Sequence, residues 1–155
     1  MKFARAILGG TFDRFHAGHK HFLDAATKSS DFLTVGITTP ALFGHKPLAN
    51  RIEPFDVRKN RVEKYLEDNG LGGKYQIIPL ENIYGNALIE ENIDAIFTTH
   101  HSLKNVDKIN DEREKRGFPA LAVVFVEPLT DSKGKIISSS RIRMGEIDTK
   151  GNPRK

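Results

Sequence analysis

Five short runs rich in β-branched and aromatic residues recur along this chain, separated by stretches of helical period. "FARAILGG", "FLTVGITT", "YQIIPL", "DAIFTTH" and "LAVVFVEPL" each have the length and composition of a strand. "AGHKHFLDAATKSS" after the first run reads as a helix. "EPFDVRKNRVEKYLEDNG" reads as another, with Pro54 in its first turn, Gly70 as its stop and Phe55, Val62, Tyr65 and Leu66 sharing an inner face. "NALIEEN" reads as a short helical piece and "NVDKINDEREKRG" as a polar helix closed by Gly117. After the turn "TDSKGK", the stretch "ISSSRIRMGEI" predicts a last helix with Ser138 as its N-cap. Parallel neighbours need a crossover long enough to hold a helix, so this alternation predicts an α/β fold: a five-stranded parallel sheet with helices on both faces. The nearly continuous apolar letters of "AIF" and "AVVFV" predict strands covered on both sides.

The chain has 155 residues, which suits one domain spanning 1–155, with about 145–155 expected as a mobile tail. It contains no cysteine, so disulfide, thiolate and Cys-ligated metal chemistry are excluded. The longest apolar runs fall far short of the ~20 residues that cross a bilayer, and 2–8 lack the apolar length and cleavage site of a signal peptide. A soluble, cytoplasmic monomer without a membrane partner is expected. Net charge is +4, and it is uneven: from Lys133 onward there are seven basic and two acidic residues, so the rest of the chain is slightly acidic. A local basic segment suits a polyphosphate or a nucleic acid. With no Trp and three Tyr the chain has little to stack on bases, which argues against nucleic acid.

In an open parallel sheet, ligands sit beyond the carboxyl ends of the strands. There the chain places "GGTFDRFHAGH" after the first strand, Lys46 after the second, "TTHHSLKN" after the fourth and "ISSSRIR" downstream of the fifth. The first of these is neither GxGxxG nor GxxxxGK[ST]. Gly9 and Gly10 would let a ligand approach the backbone. Thr11 offers a hydroxyl. His16 and His19, three apart, face one side of a helix start that already favours anions. Two imidazoles there suit phosphate oxygens. A zinc site would need a third ligand, and the spacing of His21, His45, His100 and His101 matches no metal pattern. A polar helix cap with incidental histidines is the plainer alternative. In "ISSSRIR" three hydroxyls and two guanidiniums gather at a helix start, a combination suited to polyphosphate. Asp13 reads as a turn or helix-start residue.

"GTFDRFHAGH" together with the distant "ISSSRIR" resembles the HxGH nucleotidyltransferase superfamily, whose members share a Rossmann-like α/β fold. "HKPLANRIEPFDVR", "KINDEREKRG" and "RIRMGEID" make the chain most similar to phosphopantetheine adenylyltransferases of the archaeal and eukaryotic type. The resemblance implies transfer of AMP from ATP to 4′-phosphopantetheine, giving dephospho-coenzyme A and pyrophosphate. It implies that Gly10, Thr11, Phe12, His16, His19, Ser138, Ser139, Ser140 and Arg141 form the ATP site, with His19 on the α-phosphate and the serines and Arg141 on the β and γ phosphates. It implies catalytic roles for His19, Lys46 and Thr11, and an acceptor site of Thr11, Lys46 and Arg113. Arg143 is expected to point outward. Bacterial members carry an "RGLR"-like arginine pair where this chain reads "TTHHSLKN", so Arg113 or Lys104 is expected to supply that charge.

A phosphate monoester near neutral pH is already ionised, so the reaction needs no general base; positioning and charge stabilisation suffice. Mg²⁺ is expected to arrive on ATP, because no carboxylate cluster marks a dedicated metal cage. Two other small nucleotidyltransferases, an FAD synthetase and a cytidylyltransferase, share these requirements. A non-catalytic nucleotide-binding module is the alternative of a different class.

Overall fold

The computed structural model describes residues 2–44, 48–100 and 102–154. The chain runs β1 (Phe3–Gly10), α1 (Ala17–Lys28), β2 (Ser30–Thr38), α2 (Pro40–Phe43), α3 (Phe55–Asp68), β3 (Tyr75–Leu80), β4 (Ala95–Thr98), α4 (Leu103–Lys115), β5 (Ala122–Phe125) and α5 (Ser139–Arg143). Short 3-10 turns at Ala49–Arg51 and Gly85–Leu88 complete it; the second stands where "NALIEEN" predicted a helix. All five strands are parallel, in the order β3-β2-β1-β4-β5. The chain therefore lays β2 and β3 on one side of β1, then crosses back to lay β4 and β5 on the other. That reversal opens a crevice at the carboxyl end of β1, where parallel sheets bind ligands.

Both faces of the sheet are covered, as the strand–helix alternation predicts. Ala6 and Leu8 of β1 face one way and join Phe22, Leu23 and Ala26 of α1 with Val62 and Leu66 of α3. Ile7 faces the other way and joins Ala87, Val106 and Ile109 under α4. Residues i and i+2 of a strand share a face, so this one strand feeds both cores. α3 ends as expected: Gly70 follows its C-cap with φ +75°, a conformation a side chain would strain.

One expectation is corrected here. β5 is not covered on both sides. It is an edge strand with only β4 beside it, and Val123 and Phe125 stay exposed while Val124 and Val126 meet the core. Residues 146–154 fold back on themselves. The backbone N–H of Asp148 donates to the Asn152 carbonyl and that of Arg154 to the Glu146 carbonyl, which closes an antiparallel hairpin. Ile147 seals a small cluster with Ile137 and Ile142, and Gly151 lies where a Cβ would strike Ile137. Burial of Ile147 holds down a segment whose charges alone suggested solvation.

Candidate active site

The turn between β1 and α1 is wound tightly. Phe12 and Arg14 both have positive φ, +56° and +53°, an unusual pair for side-chain-bearing residues that persists only where the surroundings dictate it. The Phe12 ring folds back over Gly10, where a Cβ would lie 2.9 Å from it; the notch at Gly9 is filled by Leu80. These glycines thus make room for the protein's own side chains. Phe12 is buried, and its ring supports His19 at 5.1 Å between centroids.

His16 is the N-cap of α1. Its Nδ1 accepts from the backbone N–H groups of Gly18 and His19, at 3.0 and 3.3 Å. The backbone N–H of His16 in turn donates to His19 Nδ1 at 3.2 Å, which completes a reciprocal capping box. The next orphan donor, Ala17 N–H, goes to the Thr149 carbonyl of the C-terminal hairpin at 2.9 Å. The first N–H groups of α1 are therefore all engaged, so α1 offers a phosphate its side chains. The same bonds settle the tautomers. An Nδ1 that accepts cannot carry a proton in neutral imidazole, so both rings hold their hydrogen on Nε2. The rings stack 3.6 Å apart, and Phe15 lies against the far side of His19 at 5.6 Å.

Burial pushes the His16 pKa down from its ordinary value to about 4, against a smaller opposing pull from Asp13. His16 is then a neutral donor at physiological pH. Unfolded chain takes up a proton at this position near pH 6.5 and folded chain only near 4, so stability is lost as pH falls through that window, on the order of 3 kcal/mol in all. His16→Asn keeps a capping oxygen and does not titrate. Urea unfolding from pH 7 to 4.5 should show the steeper loss in the unmodified chain. Equal slopes in the two proteins would contradict a buried neutral His16.

The second signature meets the first. Ser138 caps α5 through its hydroxyl, which accepts from the backbone N–H of Arg141. The Ser139 hydroxyl donates to the Asp13 carbonyl at 2.7 Å and lies 3.4 Å from His19 Nε2, which the tautomer makes the donor. Ser140 Oγ accepts from Arg143 at 3.1 Å. Thr11 stands at the end of β1, and its Oγ accepts from the Thr38 hydroxyl at 2.8 Å, across the ends of β1 and β2. So Thr11, His16, His19 and the three serines converge beyond the carboxyl end of β1. Lys46 lies outside the described residues, as do His45 and His101.

Three arginines depart from expectation. Arg113 is wholly buried; its guanidinium donates to the carbonyls of Ala87, Glu90, Glu91, Ile93 and Pro119. It staples α4 to the segment before β4 and cannot also reach an acceptor. Arg141 donates to Asp131 at 2.8 Å, to Glu146 at 3.0 Å and to the Ile136 carbonyl at 2.7 Å, so it braces α5 against its flanking turns. The bond from Arg141 foremost, with those from the backbone N–H groups of Lys135 and Lys133, holds the Asp131 carboxyl below its usual range. Arg143 points inward, not outward, and pairs with Asp13 at 2.7 Å. Of the residues near the missing bacterial arginine pair, His100 and Lys104 are exposed.

Sequence reasoning missed Arg58 and Thr38. Arg58 is buried, and one nitrogen donates to both the Thr11 and Thr38 carbonyls, tying the ends of β1 and β2 together. A signal existed: 58 falls on the apolar stripe of α3 with Phe55 and Val62, and a cation on an inner face needs buried acceptors.

A family model described as cytidylyltransferase-like matches residues 7–145. The chain is 37% identical over 147 residues to the phosphopantetheine adenylyltransferase of Methanopyrus kandleri, covering 95% of this chain and 92% of that protein. Among solved structures it is similar to a protein of unknown function from Archaeoglobus fulgidus, with a TM-score of 0.68 and 27% identity over 89% of this chain and all of that one. A bifunctional NMN adenylyltransferase/ADP ribose pyrophosphatase from Francisella tularensis shares the fold, with a TM-score of 0.61 and 16% identity, over 92% of this chain and 41% of that one. The sheet with its crevice at β1 defines a doubly wound α/β protein, and the chain belongs to the cytidylyltransferase-like family. Within that family its curated relatives over nearly the whole length carry the phosphopantetheine adenylyltransferase name.

Proposed function

We propose that this protein is a nucleotidyltransferase of coenzyme A biosynthesis that transfers AMP from ATP to 4′-phosphopantetheine. The observation that carries the reading is the approach of Ser139 Oγ to 3.4 Å from His19 Nε2, beyond the strand end where the sheet order reverses. Two segments 120 residues apart in sequence thereby frame one space suited to a triphosphate. The names and coverage of the relatives support ATP and 4′-phosphopantetheine as the two substrates.

A phosphate oxygen of the acceptor attacks the α-phosphorus of ATP. A new P–O bond forms there, and the bond from that phosphorus to the α–β bridging oxygen breaks. Pyrophosphate leaves with the electron pair of that bond. Dephospho-coenzyme A is the other product, and no proton need be abstracted from the ionised nucleophile. His16 and His19 present neutral Nε2–H donors to the phosphates, and the Thr11 hydroxyl helps hold the reacting groups. Ser138, Ser139 and Ser140 face the β and γ phosphates. Lys46 is assigned the charge between donor and acceptor from the family resemblance. The residues described offer Mg²⁺ no cage: no cluster of three or more His, Cys, Asp or Glu could hold a metal among them, and both Asp13 oxygens are engaged. Mg²⁺ is assigned, on the strength of the family resemblance, to ATP oxygens and water.

The deciding assay offers 4′-phosphopantetheine, FMN, nicotinamide mononucleotide and glycerol phosphate separately, each with ATP and with CTP. Pyrophosphate release should be fastest for ATP with 4′-phosphopantetheine. Faster release with FMN, or with CTP and glycerol phosphate, would reassign the protein to an FAD synthetase or a cytidylyltransferase. ATP binding without release from any acceptor would leave a binding module.

A further inference from the structure

We propose that Asp13 and Arg143 are a positioning pair: by holding each other they set the spacing between the two halves of the nucleotide site, and neither touches substrate. The inference rests on the site assigned above. Asp13 is fully buried. One carboxylate oxygen accepts from Arg143 at 2.7 Å and the other from the Glu53 backbone N–H at 2.9 Å. The Arg143 side chain is 2% exposed, and its second terminal nitrogen donates to Ser140 Oγ. The carbonyl of the same Asp13 accepts the Ser139 hydroxyl. One residue of the turn after β1 thus holds Ser139 directly and Ser140 through Arg143.

The arrangement is specific to geometry. A buried ion pair is a poor stabiliser, because removing both charges from water offsets most of their attraction. An apolar pair would fill the same volume. It would not supply a directional 2.7 Å link between α5 and a turn whose backbone is already constrained at Phe12 and Arg14. The Arg143 side chain is buried against Asp13 and Ser140, so its effect on the site passes through these contacts.

The test uses the full chain with Arg143→Met, Arg143→Lys, Asp13→Asn and the double variant Asp13→Asn/Arg143→Met. ATP binding is measured by calorimetry without acceptor, kinetics with ATP and 4′-phosphopantetheine varied separately, and stability by thermal unfolding. Misplacing half of a phosphate site by a fraction of an ångström should weaken ATP binding and raise KM for ATP roughly tenfold or more, with kcat also lowered. KM for 4′-phosphopantetheine should change less than about twofold, since the acceptor contacts are not altered. Arg143→Lys should recover part of the loss. The double variant should be no worse than the poorer single one, because both break one link. Variants that melt earlier yet bind ATP within twofold of the unmodified chain would overturn the proposal, as would single effects that simply add. If Asp13→Asn does not fold, the two Arg143 variants carry the comparison. Calorimetry with ATP alone keeps this result separate from the identity of the acceptor.

Discussion

His19→Ala should lower turnover by about 10²–10³ while the protein folds as before, because removing one preorganised donor to developing charge typically has that effect. Three features of the site make His19 the residue of largest effect. Its ring is held between His16 and Phe15, so its direction is fixed before substrate arrives. Its Nδ1 is occupied by the backbone N–H of His16, so the proton sits on Nε2. Its Nε2 lies beside Ser139, where the two signatures meet. Truncation removes the Nε2 donor without opening the main core, since His19 is only partly buried. Steady-state pyrophosphate release, with circular dichroism to confirm folding, checks this. A rate within a factor of three of the unmodified enzyme would remove His19 from the chemistry. Lys46→Ala should behave alike on the strength of the family resemblance.

Arg113→Ala should destabilise the fold by roughly 3 kcal/mol or more without a direct effect on the chemical step. The side chain satisfies five buried or half-buried carbonyls, and each acceptor left without a partner costs about 1–3 kcal/mol. Arg113→Lys should not rescue it, because an ammonium has three donors on one point and cannot span five carbonyls fanned around a planar guanidinium. Denaturant unfolding of the three proteins measures the difference. Unchanged stability of Arg113→Ala, with a raised KM for 4′-phosphopantetheine, would instead restore the acceptor role that sequence reasoning assigned to it.

The fold was legible because its signals are local. Apolar runs of strand length, Pro54 and Gly70 at the ends of α3, and Ser138 at the start of α5 act through nearest neighbours, and the structure places these elements where periodicity predicts them. The histidines and serines were legible for the same reason. The arginines were not. Whether Arg141 or Arg143 meets a phosphate depends on which carboxylate the fold puts beside it. The partners are Asp131 for Arg141 and, 130 residues away, Asp13 for Arg143. Charge type is written in the sequence, but charge pairing belongs to tertiary structure. The C-terminal hairpin is tertiary likewise: Lys150 and Arg154 are exposed, as their charge suggests, while Ile147 is buried and the Thr149 carbonyl caps α1.

The central claim is that imidazole and hydroxyl groups from two distant segments grip a single triphosphate. A crystal structure of the protein with a non-hydrolysable ATP analogue tests it most directly. One triphosphate should lie within hydrogen-bond distance, about 3.2 Å or less, of both His19 Nε2 and at least one of Ser138, Ser139 and Ser140. A triphosphate that touches one segment and leaves the other unbound would contradict it.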